Sequence, residues 1–168
     1  MDKVENIGLI GYGVIGKAIA KELMKSYYHV FVYDNSESEM ILAKKQGCFT
    51  CASPKDVSLK TKIILLSLPS SKAILDVVGN EIHGILKSAS PGTIIVDTST
   101  VDPETSKINA SKCSLKDIRY TDSPILGRPE FVGNWTLVVG KTSIINNNLK
   151  NILLTFASKI VDAGAIGN

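Results

Sequence analysis

Glycines at 11, 13 and 16 follow an apolar run and open a segment of helical period, and no other feature constrains the fold as tightly. Three glycines in a G-x-G-x-x-G pattern arise by chance, but a strand before and a helix after give the context in which the pattern binds a dinucleotide. Gly11 permits the tight turn. Gly13 lets the backbone approach a pyrophosphate where a side chain would clash, and Gly16 lets the helix pack closely on the strand. The helix N-terminus then offers unpaired N–H groups and a partial positive charge to phosphates. The candidate phosphate loop therefore comprises Gly11, Tyr12, Gly13, Val14, Ile15 and Gly16.

The rest of the chain fits that beginning. Residues 4–10 read as a buried strand, and Ile15, Ala18, Ile19 and Leu23 share one face of a helix over 13–25. Strands are expected at 30–33, 49–52, 62–68, 93–97, 118–121 and 136–139, with a last short one at 160–162. Helices are expected at 36–46, from 53, at 71–78, at 81–87 and from Asp102 to about 113. Asp102 is an N-cap candidate before Pro103 and Glu104, an arrangement suited to a helix start. A final helix is expected over 144–159, broken or solvated near Asn146, Asn147 and Asn148. The run at 62–68 is continuously apolar, as a parallel strand covered on both faces must be. Strands alternating with helices imply an α/β fold with right-handed crossovers: a doubly wound, mostly parallel sheet of Rossmann type in a single domain. Ligands of such sheets sit at the carboxyl ends of the strands.

Asp34 ends the second strand about 20 residues beyond the loop, where a ribose-binding acid is expected. Its carboxylate can accept from both ribose hydroxyls and would repel a 2′-phosphate. Asn35 and Ser36 follow it, with no arginine to hold such a phosphate, so NAD is favoured over NADP. The plainer alternative is that Asp34 caps the next helix.

Composition excludes other classes. Hydrophobic residues make up 44% and charged residues 21% of the 168, and the net charge is +3. That is the profile of a soluble globular chain, and the scattered lysines form no basic stripe for nucleic acid. Apolar runs are far too short for a membrane span, and residues 1–5 lack the apolar core of a signal peptide, so the expected compartment is the cytoplasm. Cys48 and Cys51 match C-x-x-C, a redox or half-zinc pattern. With one further cysteine, Cys113, and only isolated histidines, His29 and His83, the expectation is a structural role and no metal site.

Four segments resemble the 3-hydroxyacid dehydrogenase family, which includes 3-hydroxyisobutyrate dehydrogenase and the cofactor domain of 6-phosphogluconate dehydrogenase. They are residues 7–16; Leu66 to Ser71 with Pro69 at the turn; Val96 to Thr105, containing Asp97, Thr98, Ser99 and Thr100; and Thr121 to Pro129. Their order and spacing match over nearly the whole chain. The resemblance implies an NAD(P)-dependent oxidoreductase that moves a hydride between nicotinamide and a small hydroxy acid or related carbonyl or imine. It places Leu68, Pro69 and Ser70 along the cofactor and Thr100 near the nicotinamide. A hydroxyl at the end of a strand can hold the carboxamide or a substrate carboxylate, which suits both Ser99 and Thr100. The plainer alternative for Ser99 and Thr100 is a helix cap before Pro103, and Ser70 and Ser71 can likewise be only caps. In the fourth segment the family's Ser-Gly-Gly is replaced by Leu126, Gly127 and Arg128. Arg128 can pair bidentately with an anionic substrate or lie on the surface of a different turn.

The resemblance also implies a chain nearly twice as long, with a catalytic lysine on a long helix after a Gly-rich turn. Residues 1–162 are then the NAD(P)-binding domain and 163–168 the start of the interdomain turn, with the all-helical domain and its lysine beyond residue 168. Lys141 and Lys159 precede the turn and do not take that role. Without such a domain, apolar surface is expected around Ile152, Leu153 and Phe156, to be covered by a homodimer or partner chain. The alternatives to a dehydrogenase fragment are a noncatalytic NAD(P)-binding module and one half of a split enzyme.

Overall fold

The computed structural model of the chain describes residues 4–168; residues 1–3, part of the polar N-terminus noted above, lie outside it. Strands β1 (Asn6–Ile10), β2 (His29–Tyr33), β3 (Phe49–Thr50), β4 (Ile63–Leu66), β5 (Ile94–Asp97) and β6 (Arg119–Asp122) form one parallel sheet in the order 3-2-1-4-5-6. Helices α1 (Val14–Lys25), α2 (Glu37–Lys45), α3 (Pro54–Lys60), α4 (Ser71–Gly79) and α5 (Pro103–Ser114) connect them. The strand order reverses between β1 and β4, which are paired with Ile7 beside Ile63 and Ile10 beside Leu66. That reversal opens the crevice in which doubly wound sheets bind ligands.

Strand alternation divides the core in two. Leu9, Ile63, Leu65, Ile94 and Val96 belong to the core shared with α1 and the C-terminal segment, while Ile10, Ile64, Leu66 and Ile95 face α3, α4 and α5. Both faces are covered, so β4 and β5 are buried along their whole length. Cys48 belongs to the first core and Cys51 to the second, so the C-x-x-C thiols lie on opposite sides of the sheet. All three cysteines are buried and unbridged, and burial pushes their thiols up, Cys113 to about 12. None of the three is poised as a thiolate.

The largest departures from the sequence expectations lie beyond β6. A second sheet forms from β7 (Ile125–Leu126), β8 (Trp135–Gly140) and β9 (Ala157–Gly164), with β7 antiparallel and β9 parallel to β8. The helix expected over 144–159 is only α6 (Asn147–Leu153), capped by Asn146. Leu149, Ile152, Leu153 and Phe156 keep helical spacing because Phe156 returns to the same core after the helix has ended at its C-cap, Leu154. The strand expected at 160–162 extends in both directions and takes in 163 and 164, the first residues assigned to the turn. The helix expected at 81–87 is a turn plus one 3-10 turn, Ile85–Lys87; the Asn80 side chain accepts from the N–H groups of Ile82 and His83.

The exposed apolar surface expected around Ile152, Leu153 and Phe156 is absent, since all three are fully buried. They pack with Trp135 of β8 and the inner face of the first sheet. The second sheet supplies the cover expected from a homodimer or partner chain, so these residues leave no apolar face on α6 for a partner to cover.

Candidate functional site

A cavity of about 920 Å³ opens at the strand-order reversal. Its floor is the end of β1 and the glycine loop, with Ile10, Gly13, Val14 and Ile15. One wall is the end of β2, with Tyr33, Asp34, Asn35, Ser36 and Glu39; the other is the turn after β4, with Ser67, Leu68 and Pro69. The far end lies between α3 and α4, where Ala52, Pro54, Ala73, Val77 and His83 line it.

The three glycines do three different things. Gly11 adopts φ +98°, and a Cβ there would stand 2.0 Å from the Ser67 carbonyl oxygen. A Cβ at Gly16 would meet the Gly11 carbonyl oxygen at 2.0 Å, so helix and loop touch backbone to backbone. A Cβ at Gly13 would meet no protein atom within 4 Å and would project into empty space at the cavity floor. Of the three, only Gly13 leaves room for something that is not protein.

The helix that starts there is also unlike its neighbours. Ser36, Ser53, Ser70, Asp102 and Asn146 each accept a backbone N–H at the start of their helices. Among the described residues, α1 is the one α-helix with no side-chain cap, and it carries no acid in its first turn. Its free N–H groups and positive dipole end are directed at the cavity, a combination that suits a phosphate.

Asp34 ties this loop to β2. Its Oδ2 accepts from the main-chain N–H of Tyr12 at 2.7 Å, and its Oδ1 from that of Ser36 at 2.8 Å. The carboxylate is thus held in place on the cavity wall while each oxygen keeps lone-pair capacity. The Tyr12 side chain turns away from the cavity: it is fully buried, and its hydroxyl meets Gln46 Oε1 at 2.6 Å and Cys48 Sγ at 3.6 Å. Burial pushes that phenol upward.

The sequence candidates therefore separate. Gly13, Val14, Ile15, Asp34, Asn35, Leu68 and Pro69 line the cavity together. Gly11, Tyr12 and Gly16 shape the loop from behind. Ser70 caps α4 by accepting the Ala73 N–H at 3.2 Å. Ser99 is buried, and its Oγ accepts the Leu68 N–H at 2.9 Å, so it braces the turn after β4. Thr100 is exposed and outside the cavity wall. Gly127 and Arg128 serve Trp135: a Cβ at Gly127 would lie 2.3 Å from the indole Cδ1, and the Arg128 carbonyl accepts the indole N–H at 2.7 Å. The Arg128 side chain is exposed and also off the cavity wall.

The far end of the cavity escaped the sequence reading. Ala52, Pro54, Ala73, Val77 and His83 are ordinary residues in no recognisable pattern, and only the packing of α3 beside α4 brings them together. The one available signal was positional, because residues just after a parallel strand face the ligand crevice.

Open space at an uncapped helix start, an anchored acid on the next strand and a cleft beyond it define a dinucleotide-binding α/β domain. Residues 6–165 match the family model for the NAD binding domain of 6-phosphogluconate dehydrogenase, and the chain belongs to this family. It is 31% identical to 2-(hydroxymethyl)glutarate dehydrogenase of Eubacterium barkeri, over 99% of this chain and 56% of that protein. It is 32% identical to mitochondrial 3-hydroxyisobutyrate dehydrogenase of Mus musculus, over 96% of this chain and 48% of that one. Mycobacterium tuberculosis 3-hydroxyisobutyrate dehydrogenase, solved with L-serine, shares the fold at a TM-score of 0.90 and 19% identity, over 98% of this chain and 56% of that one. The chain spans about half the length of the curated relatives it matches. No helix among the described residues is long and apolar enough to cross a membrane.

Proposed function

We propose that this chain is the cofactor-binding half of an NAD-dependent oxidoreductase acting on a small hydroxy acid or a related carbonyl or imine. The observation that carries the proposal is the uncapped N-terminus of α1 opening, over the bare Gly13, onto the cavity that Asp34 lines. The N–H groups of the loop and α1 would hold the pyrophosphate. Asp34 would accept the adenosine ribose hydroxyls, and its charge would disfavour a 2′-phosphate, so NAD is preferred. Leu68, Pro69 and Ser70 would run along the dinucleotide on the β4 side, with Thr100 toward its nicotinamide end, Ser99 behind the turn, and Gly127 and Arg128 toward the substrate.

When bound, the dinucleotide supplies the hydride donor or acceptor. The residues described here bind and orient it. Proton transfer on the substrate oxygen needs a further group, and no lysine is among the residues lining the cavity. We assign that group to a segment outside these 168 residues. The described sequence through 162 would act as the cofactor domain, and 163–168 would lead into the interdomain turn.

Parallel calorimetric titrations with NADH and NADPH test this reading. Tighter binding of NADH is expected. Tighter binding of NADPH would overturn the preference, and no heat with either would overturn the cofactor reading.

A further inference from the structure

Asp34 is not the only acid on the ribose wall. Glu39, in the first turn of α2, also lines the cavity. It stands three residues after the N-cap Ser36, the position from which a capping-box glutamate turns back to the cap's own N–H. Here that N–H is donated to Asp34 Oδ1 at 2.8 Å. The Glu39 carboxylate instead crosses to α1, where Lys17 Nζ lies 2.8 Å from its Oε2 and donates to its Oε1 at 3.1 Å. Lys17 is itself one turn behind the phosphate loop, its N–H bonded to the Gly13 carbonyl at 2.9 Å. The pair is part-buried, each side chain about 29% exposed, so neither group is fully hydrated.

This arrangement bears on which dinucleotide the pocket accepts. A 2′-phosphate is a dianion that needs a cation beside the ribose. Lys17 is a cation on the helix facing that corner, and Glu39 occupies it. We propose that Glu39 is a second specificity-determining residue: it adds a carboxylate to the ribose wall and sequesters Lys17 in an ion pair, so that a 2′-phosphate meets two acids and no free cation. The inference rests on the cofactor reading above and adds to it that Asp34 alone does not set the preference. Removing Asp34 would relieve one repulsion and leave Lys17 engaged. Replacing Glu39 by glutamine would keep its shape, lower the negative charge and free the ammonium to turn toward the phosphate.

The test is a calorimetric comparison of NADH and NADPH on the 168-residue chain and on Asp34→Ala, Glu39→Gln, the double variant, and the double variant with Lys17→Met. Circular dichroism confirms folding of each. The double variant is expected to bind NADPH at least tenfold tighter than Asp34→Ala does, and Lys17→Met is expected to abolish that gain. Glu39→Gln alone should raise the NADPH-to-NADH affinity ratio at least threefold, which keeps the inference testable if loss of Asp34 loosens the loop. If the unsubstituted chain binds NADH and Glu39→Gln changes the ratio in neither background, the inference is overturned and the cofactor reading stands. A gain that survives Lys17→Met overturns the role of the lysine. An unsubstituted chain that binds neither dinucleotide overturns both.

Discussion

The main-chain N–H of Tyr12 points at Oδ2 of Asp34, 2.7 Å away, so the acid that ends β2 is also a fastener for the glycine loop after β1. Its other oxygen accepts the Ser36 N–H at 2.8 Å, which fixes the corner into α2. One side chain therefore aligns two of the strand-end segments that border the cavity, and its substitution should register in stability and in binding together.

Asp34→Asn keeps the size and one acceptor oxygen but loses the charge. Charge-assisted hydrogen bonds of this kind contribute about 1.5–3 kcal/mol. The variant is expected to unfold at lower urea than the parent and to bind NADH at least about tenfold more weakly, a change of roughly 1.4 kcal/mol. Chemical denaturation and calorimetry read the two effects. Unchanged stability would show that the Tyr12 and Ser36 contacts contribute little.

Gly13 and Gly11 should respond in opposite ways to the same methyl group. At Gly13 the backbone is ordinary, φ −69°, and a Cβ meets no protein atom within 4 Å. Gly13→Ala is expected to fold to within about 1 kcal/mol of the parent and to lose NADH affinity, because the methyl enters the space the phosphates need. At Gly11 the positive φ and the 2.0 Å approach to the Ser67 carbonyl leave no room. Gly11→Ala is expected to cost about 3 kcal/mol or more. Thermal melts beside NADH titrations separate the two. Strong NADH binding by Gly13→Ala would remove the pyrophosphate from this loop.

The first two-thirds of the fold was legible because each element carries its own signal. β4 is apolar throughout because both its faces are covered, and Ser53 and Asp102 announce helices through caps that the structure contains. Legibility failed where a local pattern had two solutions. Leu149, Ile152, Leu153 and Phe156 fit one helix face, and nothing local marks Leu154 as its end. The long β9 was hidden because its pairing to β8 is nonlocal and its outer face is solvated. The cavity floor was visible in three glycines. Its far end was not, since apolar residues such as Ala73 and Val77 become a slot only through tertiary packing.

Trp135 and Phe156 test how far the second sheet belongs to the core. Both are fully buried and meet edge to face, centroids 6.4 Å apart. Each truncation to alanine is expected to cost about 3–5 kcal/mol, a fall in melting temperature on the order of 10 °C. Trp135→Phe should recover part of this while still leaving the Arg128 carbonyl without its donor. A nearly silent Phe156→Ala would mean that α6 and β9 do not complete the core.

Asp102 carries a pH signature. The Ser71 hydroxyl donates to its Oδ2, Thr105 Oγ1 donates to the same oxygen at 2.8 Å, and the Thr105 N–H donates to Oδ1 at 2.9 Å. These bonds, that from Ser71 first, hold the carboxyl down from its ordinary 3.8 to about 2. The folded state thus binds this proton less tightly than the unfolded chain does. The resulting stabilisation is fully present above about pH 4 and is lost as the pH falls toward about 2. Asp102 is solvent-exposed, so salt should weaken the effect. Asp102→Asn removes the titrating group and keeps an N-cap acceptor. Melting temperatures of parent and variant, compared between pH 6 and pH 3, should differ most at pH 6 and converge toward pH 3. A gap that stays constant with pH would show that the ionised carboxylate contributes nothing beyond what the asparagine cap supplies, and that the contact between the starts of α4 and α5 is steric.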